Sequence, residues 1–514
     1  MKMLFALALT GGFLLSSSFS DAAIAKTSAS SQAKISSAVP DSVTHHTVMI
    51  DGKSYPYTAR VGTLTLRDTQ HNPTLRMFYV AYTLDATNGA KRPVTFFYNG
   101  GPGSSTMWLH MGSFGPVRVS VGDGTITNPP PYSVRPNPYS LLDKSDLVFI
   151  DMPGSGFGRF IGKGTPKMFW GVDGDIDAFG QFIERYVTTF HRWNSPKFLF
   201  GESYGTTRSA GLVDYLQNHG IGMNGVVLQS SILNFNLDWS TNFGATDVGG
   251  GDWSYVLYLP TAAATAWYHH AIPNRPASLR KFLANVESFA MGPYLSGLAQ
   301  GANLPRAQFD SLVRKLHAYT GLSEQYIRNA NLRIQYARFE NQLLRNDGKT
   351  VGRLDSRFET GVIDRNANEP SWDATDAAID APFTAAINSY LRDDLHYNSP
   401  LRYRSSVYSL IEKSGGWNWK HNGIEPTNVA PDLAEALTYN PHLRVFSANG
   451  YYDFATPYFA TVYTLTHLYL NSTIQSHITY GFYKAGHMIY IKPASLVHYK
   501  RDLAHWYDTT LAGQ

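Results

Sequence analysis

Cysteine is absent from the 514-residue sequence. Its absence excludes disulfide bonds, thiolate nucleophiles and cysteine-based metal sites. Charged residues are also scarce, at 16%, and the formal net charge is only +4. A charge this small and scattered does not indicate a nucleic-acid-binding surface, so no nucleic acid partner is expected.

Beyond the N-terminus, the sequence has no apolar run long enough to cross a membrane. The N-terminus resembles a secretion signal, with Lys2, an apolar stretch over 4–15 and a plausible cleavage site at Ala25. A membrane anchor is the alternative, but the apolar stretch is too short to span comfortably. We therefore predict a signal peptide over 1–25 and a flexible lead-in over 26–41. The protein is expected to be exported, periplasmic or secreted, from a bacterium, where exported proteins without cysteine are ordinary.

The length is enough for one large domain with an insertion or for two to three domains. Within 42–233, β-type runs come first, and buried strands then alternate with helical patterns, which predicts a mostly parallel α/β sheet flanked by helices. The alternation stops over 234–408, which is mainly helical in pattern, and strand signals resume within 409–514. We interpret the middle range as an insertion, or cap, between two parts of one core.

A Gly-Glu-Ser-Tyr-Gly motif at 201–205 is the strongest local signal. The apolar run at 198–200 predicts a buried strand before it, and the pattern at 207–216 predicts a helix after it. Strand, sharp turn and helix are the context of a nucleophile elbow, in which the turn exposes the serine oxygen. Ser203 is therefore the candidate nucleophile, although the short motif also occurs by chance.

Asp453 and His487 supply the corroboration that such a nucleophile needs. Each follows a predicted strand, in the order Ser, Asp, His, and the loops after parallel strands share one edge of the sheet. His487 would accept the proton of Ser203, and Asp453 would fix the imidazole tautomer. Taken singly, His487 could be a structural histidine and Asp453 a turn residue.

A glycine-rich loop, Asn-Gly-Gly-Pro-Gly-Ser-Ser at 99–105, follows another predicted strand. A tetrahedral oxyanion requires backbone N–H donors, and Gly101 and Tyr204 are the candidates. A phosphate-binding loop is the alternative, but the characteristic lysine is missing. No His-Glu-x-x-His motif is present, so neither a metal nor another cofactor is expected.

Together these motifs resemble the serine carboxypeptidase family, peptidase family S10. The similar stretches occur in family order at 97–105, 151–157, 201–205, Asp453 and 485–488. The resemblance implies an α/β-hydrolase fold with a mainly helical insertion over the active site. It also implies removal of single C-terminal residues from peptides through an acyl-enzyme, with Ser203, Asp453 and His487 as the triad.

The resemblance further implies that Gly101 and Tyr204 form the oxyanion hole and that Asn99 and Glu202 bind the substrate's terminal carboxylate. An amide can donate to a carboxylate, whereas a glutamate can do so only when protonated. Acidic conditions should therefore favour peptide binding. Asn99 could instead be a turn residue, and Glu202 could merely cap a helix.

Three positions depart from the family pattern. Ser113 stands where the family commonly has a second glutamate, Ser104 where it has a cysteine, and Tyr490 where many members have proline. The first departure puts the exopeptidase preference or its pH range in question. Together the departures fit a bacterial-type branch.

The leading functional hypothesis is an exported serine-type carboxypeptidase acting on peptides. An esterase or acyltransferase on the same scaffold is the alternative, motivated by Ser113. A catalytically silent binding protein is a third hypothesis, which an intact Ser-His-Asp set disfavours.

Overall fold

The computed structural model of the protein describes residues 39–89, 91–237 and 251–513. The predicted signal peptide over 1–25 and nearly all of the lead-in over 26–41 lie outside these residues. The chain from Asp41 onward forms one compact unit. Within the described ranges, we find no helix with the length and apolar character needed to cross a membrane.

Ten of the strands in the described residues form one sheet. In chain order the strands are β1 (Ser42–Ile50), β2 (Lys53–Arg67), β3 (Pro73–Leu84), β4 (Val94–Tyr98), β5 (Val117–Val119), β6 (Val134–Pro136), β7 (Asp146–Ile150), β8 (Arg159–Phe160), β9 (Lys197–Glu202), β10 (Gly225–Gln229), β11 (Lys349–Val351), β12 (Glu359–Gly361), β13 (Arg444–Gly450) and β14 (Ile478–Tyr483). The large sheet has the order β1-β2-β3-β7-β4-β9-β10-β13-β14, with β8 beside β3. The pairs β5–β6 and β11–β12 stand apart.

The first three strands of the sheet pair antiparallel, and the strands from β7 to β14 in the sheet order pair parallel. Every residue of β4, β7, β9 and β10 is buried. A parallel sheet covered on both faces requires such continuous apolar strands, which is why they stand out in the sequence. The predicted antiparallel start and mostly parallel sheet are confirmed.

Helices pack on both faces of the sheet and also make up most of the described chain between β10 and β13. In chain order they are α1 (Met107–Gly112), α2 (Pro166–Phe169), α3 (Val172–Thr189), α4 (Tyr204–Asn218), α5 (Trp253–Tyr268), α6 (Leu279–Phe289), α7 (Leu295–Ala299), α8 (Arg306–Thr320), α9 (Glu324–Asn329), α10 (Tyr336–Gln342), α11 (Ala374–Ser389), α12 (Tyr408–Lys413), α13 (Ala430–Tyr439), α14 (Tyr458–Thr466), α15 (Ser472–Gln475) and α16 (Pro493–Ala512). Neighbouring residues of β9 contact the helix layers on the two faces of the sheet. Leu199 belongs to the core cluster that includes Phe182 and Leu212, on α3 and α4. Phe198 faces Tyr507 of α16, with ring centroids 4.5 Å apart.

The chain between β10 and β13 is mainly helical in its described part, with the hairpin β11–β12 as the exception. Its apolar side chains form a second core cluster that includes Val256, Leu283 and Phe339. Tyr452 and Phe454 belong to the same cluster and stand on either side of Asp453 in the chain. The helical segment therefore packs directly against the loop that carries the candidate acid.

The largely apolar sequence over 458–470 is typical of a single helix, but α14 ends at Thr466. The side chain of Asn471 accepts a hydrogen bond from the N–H of Ile474 and starts the separate helix α15. Asparagine is a preferred N-cap residue, so this local capping interaction breaks the longer apolar pattern into two helices.

Candidate active site

Ser203 lies in the sharp turn between β9 and α4. Its backbone has φ 62° and ψ −131°, a region that residues other than glycine rarely adopt. The Ser203 N–H donates to the carbonyl of Gln229 at the end of β10, across 3.0 Å. The turn is therefore held in its strained shape by a neighbouring strand, as the nucleophile elbow motif predicts.

The glycine-rich loop after β4 comes very close to this turn. A Cβ atom on Gly100 would collide with the backbone nitrogens of Tyr204 and Gly205. Gly101 has φ +113°, a conformation that only glycine adopts readily. Tyr204 is the first residue of α4, so its N–H has no partner within the helix.

Asp453 and His487 form a buried pair at the ends of β13 and β14. His487 Nδ1 lies 2.8 Å from Asp453 Oδ2, and the two side chains are 3% and 0% exposed. Burial alone would lower the pKa of His487, but the charge of Asp453 and this hydrogen bond outweigh it and raise the pKa above its usual value. The contact engages Nδ1 and leaves Nε2 as the nitrogen that can take up a proton.

Further donors fix the Asp453 carboxylate. Oδ1 accepts from the N–H groups of Ala455 and Thr456 at 2.8 and 3.0 Å. Oδ2 accepts from the Thr456 hydroxyl at 2.8 Å. Thr456 was not predicted from the sequence, although an aspartate in a turn commonly accepts a hydrogen bond from the backbone N–H two residues further on.

The backbone of His487 is also fixed on both sides. Its N–H donates to the carbonyl of Leu354 at 2.7 Å. Its carbonyl accepts from the Ser230 hydroxyl at 2.7 Å and from Gln229 Nε2 at 3.3 Å. These partners lie far from His487 in the chain, and no local sequence pattern predicts their contacts with it.

Residues 353–356, which we call the clamp segment, lie between the loops that carry Asp453 and His487. Besides the Leu354 contact, the Phe454 N–H donates to the Arg353 carbonyl at 3.0 Å, and the N–H of Ser356 donates to the Tyr452 carbonyl at 2.9 Å. The Asp355 carboxylate accepts from the N–H of Gly486 at 3.1 Å. The clamp segment thus joins the acid-bearing loop to the histidine-bearing loop.

Asn99 and Glu202 form a second buried pair. Asn99 Nδ2 donates to Glu202 Oε1, and Gln229 Nε2 donates to Glu202 Oε2, both at 2.7 Å. Asn99 Oδ1 accepts from the N–H of Leu109 at 3.0 Å, which fixes the amide orientation. Burial raises the pKa of Glu202 to about 7, against the opposing effect of nearby His487.

One cavity of about 530 Å³ joins these groups. Residues of the sheet side that line it include Asn99, Gly101, Glu202, Ser203 and His487. The lining also includes Asp376 and Asp380 of α11 and Tyr408 of α12. Tyr204 and Asp453 do not line the cavity, but each lies next to residues that do. All seven residues singled out from the sequence therefore lie in or directly behind one cavity wall.

The strand order, the flanking helices and the serine between β9 and α4 define an α/β-hydrolase. The chain belongs to the serine carboxypeptidase family, whose sequence model matches residues 61–485. The matched range includes Ser203 and Asp453 and ends just before His487.

Curated relatives cover smaller parts of the chain. The pheromone-processing carboxypeptidase KEX1 of Saccharomyces cerevisiae strain JAY291 is 32% identical over 160 residues, 30% of this chain and 20% of that protein. A carboxypeptidase Y homolog of Arthroderma benhamiae is 32% identical over 120 residues, 22% of this chain and 21% of that protein. The chain thus spans about a fifth of the length of these relatives.

A solved structure, a peroxisomal alpha-beta-hydrolase of Saccharomyces cerevisiae, covers 88% of this chain and 90% of its own. The two are 10% identical, with a TM-score of 0.35. The fold assignment rests on the strand order and not on this overlap.

Proposed function

We propose that the protein is a serine carboxypeptidase that removes single C-terminal residues from peptides. One observation carries the proposal: Ser203, His487 and the Asn99–Glu202 pair line the same cavity. A nucleophile and a group able to bind a terminal carboxylate are thus within reach of one substrate. Membership of the serine carboxypeptidase family supports the same reaction.

In the proposed reaction, Ser203 Oγ attacks the carbonyl carbon of the last peptide bond while His487 Nε2 takes its proton. The tetrahedral intermediate collapses, the C–N bond breaks, and the leaving amine takes the proton from His487. Water then attacks the acyl-serine with His487 again as the base, which releases the shortened peptide and restores Ser203. Asp453 stabilises the imidazolium in both halves.

We assign the oxyanion hole to the N–H groups of Gly101 and Tyr204. The close approach of the glycine-rich loop to the start of α4 supports this assignment, because it places both backbone segments beside Ser203. Backbone donors aimed at a developing oxyanion are a large source of rate enhancement in acyl transfer.

We assign recognition of the terminal carboxylate to Asn99 and Glu202. Asn99 uses one amide hydrogen for Glu202 and keeps a second for a ligand. Glu202 can donate only when neutral, which its raised pKa of about 7 permits in mildly acidic solution. Above that pH, the charged Glu202 repels a second carboxylate.

We also propose that the protein is exported, on the basis of the N-terminal sequence pattern. Mass spectrometry of the protein recovered from a bacterial periplasm or culture medium tests this. A mature N-terminus just after Ala25 is the expected result, and a full-length cytoplasmic product would contradict it.

The sharpest test of the reaction offers an N-blocked peptide with a free C-terminus beside its C-terminally amidated twin. A carboxypeptidase should cleave the free acid at least tenfold faster, because only that substrate satisfies Asn99 and Glu202. Equal cleavage of both would disprove the proposal. Labelling by a fluorophosphonate, lost in Ser203→Ala, identifies the nucleophile independently and excludes a silent binding protein.

An esterase or acyltransferase is the second candidate. Ser113 is buried, and its hydroxyl donates to the Leu109 carbonyl at 2.6 Å, so it offers no charged group to the cavity. Faster turnover of an ester without a terminal carboxylate than of its free-acid counterpart would favour this candidate, because the terminal carboxylate would then not be needed.

A further inference from the structure

The Tyr490 hydroxyl lies beside the Asn99–Glu202 pair with no hydrogen bond of ordinary length and angle to any described residue. The side chain is 0% exposed. Buried hydroxyls in folded proteins nearly always have a partner. Tyr490 is only three residues from His487, in the short helical turn Ile489–Ile491. A buried hydroxyl so weakly paired, beside two residues that line the cavity, points to a role in positioning those residues.

The ring of Tyr490 is held in place. A Cβ atom on Gly112 would lie 2.6 Å from ring atom Cε2, so the ring occupies the space that any side chain at Gly112 would need. Arg118 Nη2 donates to the Tyr490 carbonyl at 3.2 Å. The ring therefore packs directly against α1, which prevents movement of the hydroxyl toward that helix.

The neighbouring polar groups indicate which hydrogen bonds this hydroxyl can make. Each oxygen of Glu202 accepts one amide hydrogen, from Asn99 and from Gln229, and each keeps room for a second donor. A tyrosine hydroxyl can both donate and accept. It can therefore donate to a charged Glu202 and accept from a neutral one, after a rotation of its O–H bond.

We propose that Tyr490 is a positioning residue for Glu202, donating to it when charged and accepting from it when neutral, and that it thereby sets the pH range of terminal-carboxylate recognition. The proposal rests on the carboxypeptidase function proposed above. Nothing in the family resemblance assigns this role to Tyr490, which stands where many members have proline.

Charged and polar groups from several elements face Glu202. Apart from burial, His487, Tyr490 and Asn99 lower its pKa, and Asp453 raises it. Removal of the Tyr490 hydroxyl should therefore raise the pKa of Glu202. Glu202 would then stay neutral, and able to donate, to a higher pH. The decline in peptide cleavage with rising pH should move upward.

The test compares kcat/KM between pH 5 and 9 for a free-acid peptide in the wild type, Tyr490→Phe and Tyr499→Phe. Tyr499 of α16 is the matched control, because its hydroxyl is also buried without a hydrogen bond partner among the described residues. It interacts with Glu202 only through charge, whereas Tyr490 is within hydrogen-bonding reach of Asn99 and Glu202. We expect the decline to move up by about half a pH unit or more in Tyr490→Phe, through KM more than kcat, and to stay in place in Tyr499→Phe.

Glu202→Gln provides a second comparison. Glutamine does not titrate, so adding Tyr490→Phe to it should leave the pH profile unchanged. Superimposable wild-type and Tyr490→Phe profiles, with the free-acid preference intact, would overturn the Tyr490 assignment alone. A shift of equal size in Tyr499→Phe would also overturn it. Equal cleavage of free-acid and amidated peptides by the wild type would overturn the proposed function and this assignment with it.

Discussion

Arg208 donates a hydrogen bond from Nη1 to the backbone carbonyl of Asn99, across 2.9 Å. Its Nε pairs with Asp175 at 2.7 Å, and both side chains are fully buried. The guanidinium also lies 4.1 Å from the ring centroid of Phe179. A buried ion pair between α3 and α4 thus supports the loop that carries the proposed carboxylate-binding amide.

Arg208→Met should destabilise the protein by about 3–5 kcal/mol, because it leaves the charge of Asp175 buried without a partner. The double variant Arg208→Met/Asp175→Leu should recover much of the loss, since apolar residues often replace a buried ion pair at little net cost. Urea unfolding of the wild type and both variants measures these free energies of unfolding. A double variant less stable than the single would contradict the expectation.

Glu202→Gln should keep its activity on free-acid peptides above pH 7, where that of the wild type falls. The glutamine amide donates without a proton, whereas Glu202 loses its proton near its raised pKa of about 7. Gln229 Oε1 has no hydrogen bond partner among the described residues, so a flip of that amide can accommodate the new N–H. The measurement is kcat/KM against pH, with a neutral ester as the control substrate. An unchanged profile would remove Glu202 from carboxylate recognition.

Thr456→Val should lower kcat about tenfold, since a hydrogen bond to a charged group contributes about 1.5 kcal/mol or more. Its hydroxyl donates to Asp453 Oδ2 and lies 3.2 Å from His487 Nδ1. Thr456→Ser retains the hydroxyl and should restore most of the rate. Rates at saturating peptide concentration measure kcat independently of KM. A valine variant with the wild-type kcat would show that the hydroxyl does not contribute.

His421 should stabilise the fold below about pH 9. Its Nδ1 and Nε2 lie 2.7 Å from Asp173 and 2.9 Å from Asp432, which raise its pKa from 6.5 to about 9. The raised pKa means that the contribution is fully present below pH 6.5 and is lost as the pH rises through 9. His421→Gln should therefore cost on the order of 1–2 kcal/mol at pH 6 and almost nothing at pH 10. Thermal unfolding at both values tests this, and an equal loss at both would contradict it.

The features predicted best from the sequence are those encoded locally. The strand, turn and helix around Ser203 form a continuous segment, and the buried parallel strands are uninterrupted apolar runs. The residues that were missed act across long separations. Gln229 meets Glu202 and the His487 carbonyl, and Leu354 meets the His487 N–H. These residues become neighbours only when the strands take their order in the sheet. Neither the hydrophobic periodicity nor a sequence motif predicts that order.

The clamp segment constrains how the chain can diverge in evolution or be recombined in the laboratory. Residues 353, 354 and 356 hold the neighbouring loops through main-chain groups, so these contacts do not depend on the side chains there. One residue inserted or deleted within the segment would instead shift the Leu354 carbonyl away from the His487 N–H. The clamp segment should therefore tolerate substitutions but not insertions or deletions. A chimaera that exchanges the helices between β10 and β13 with those of a relative must preserve this spacing to keep the histidine in place.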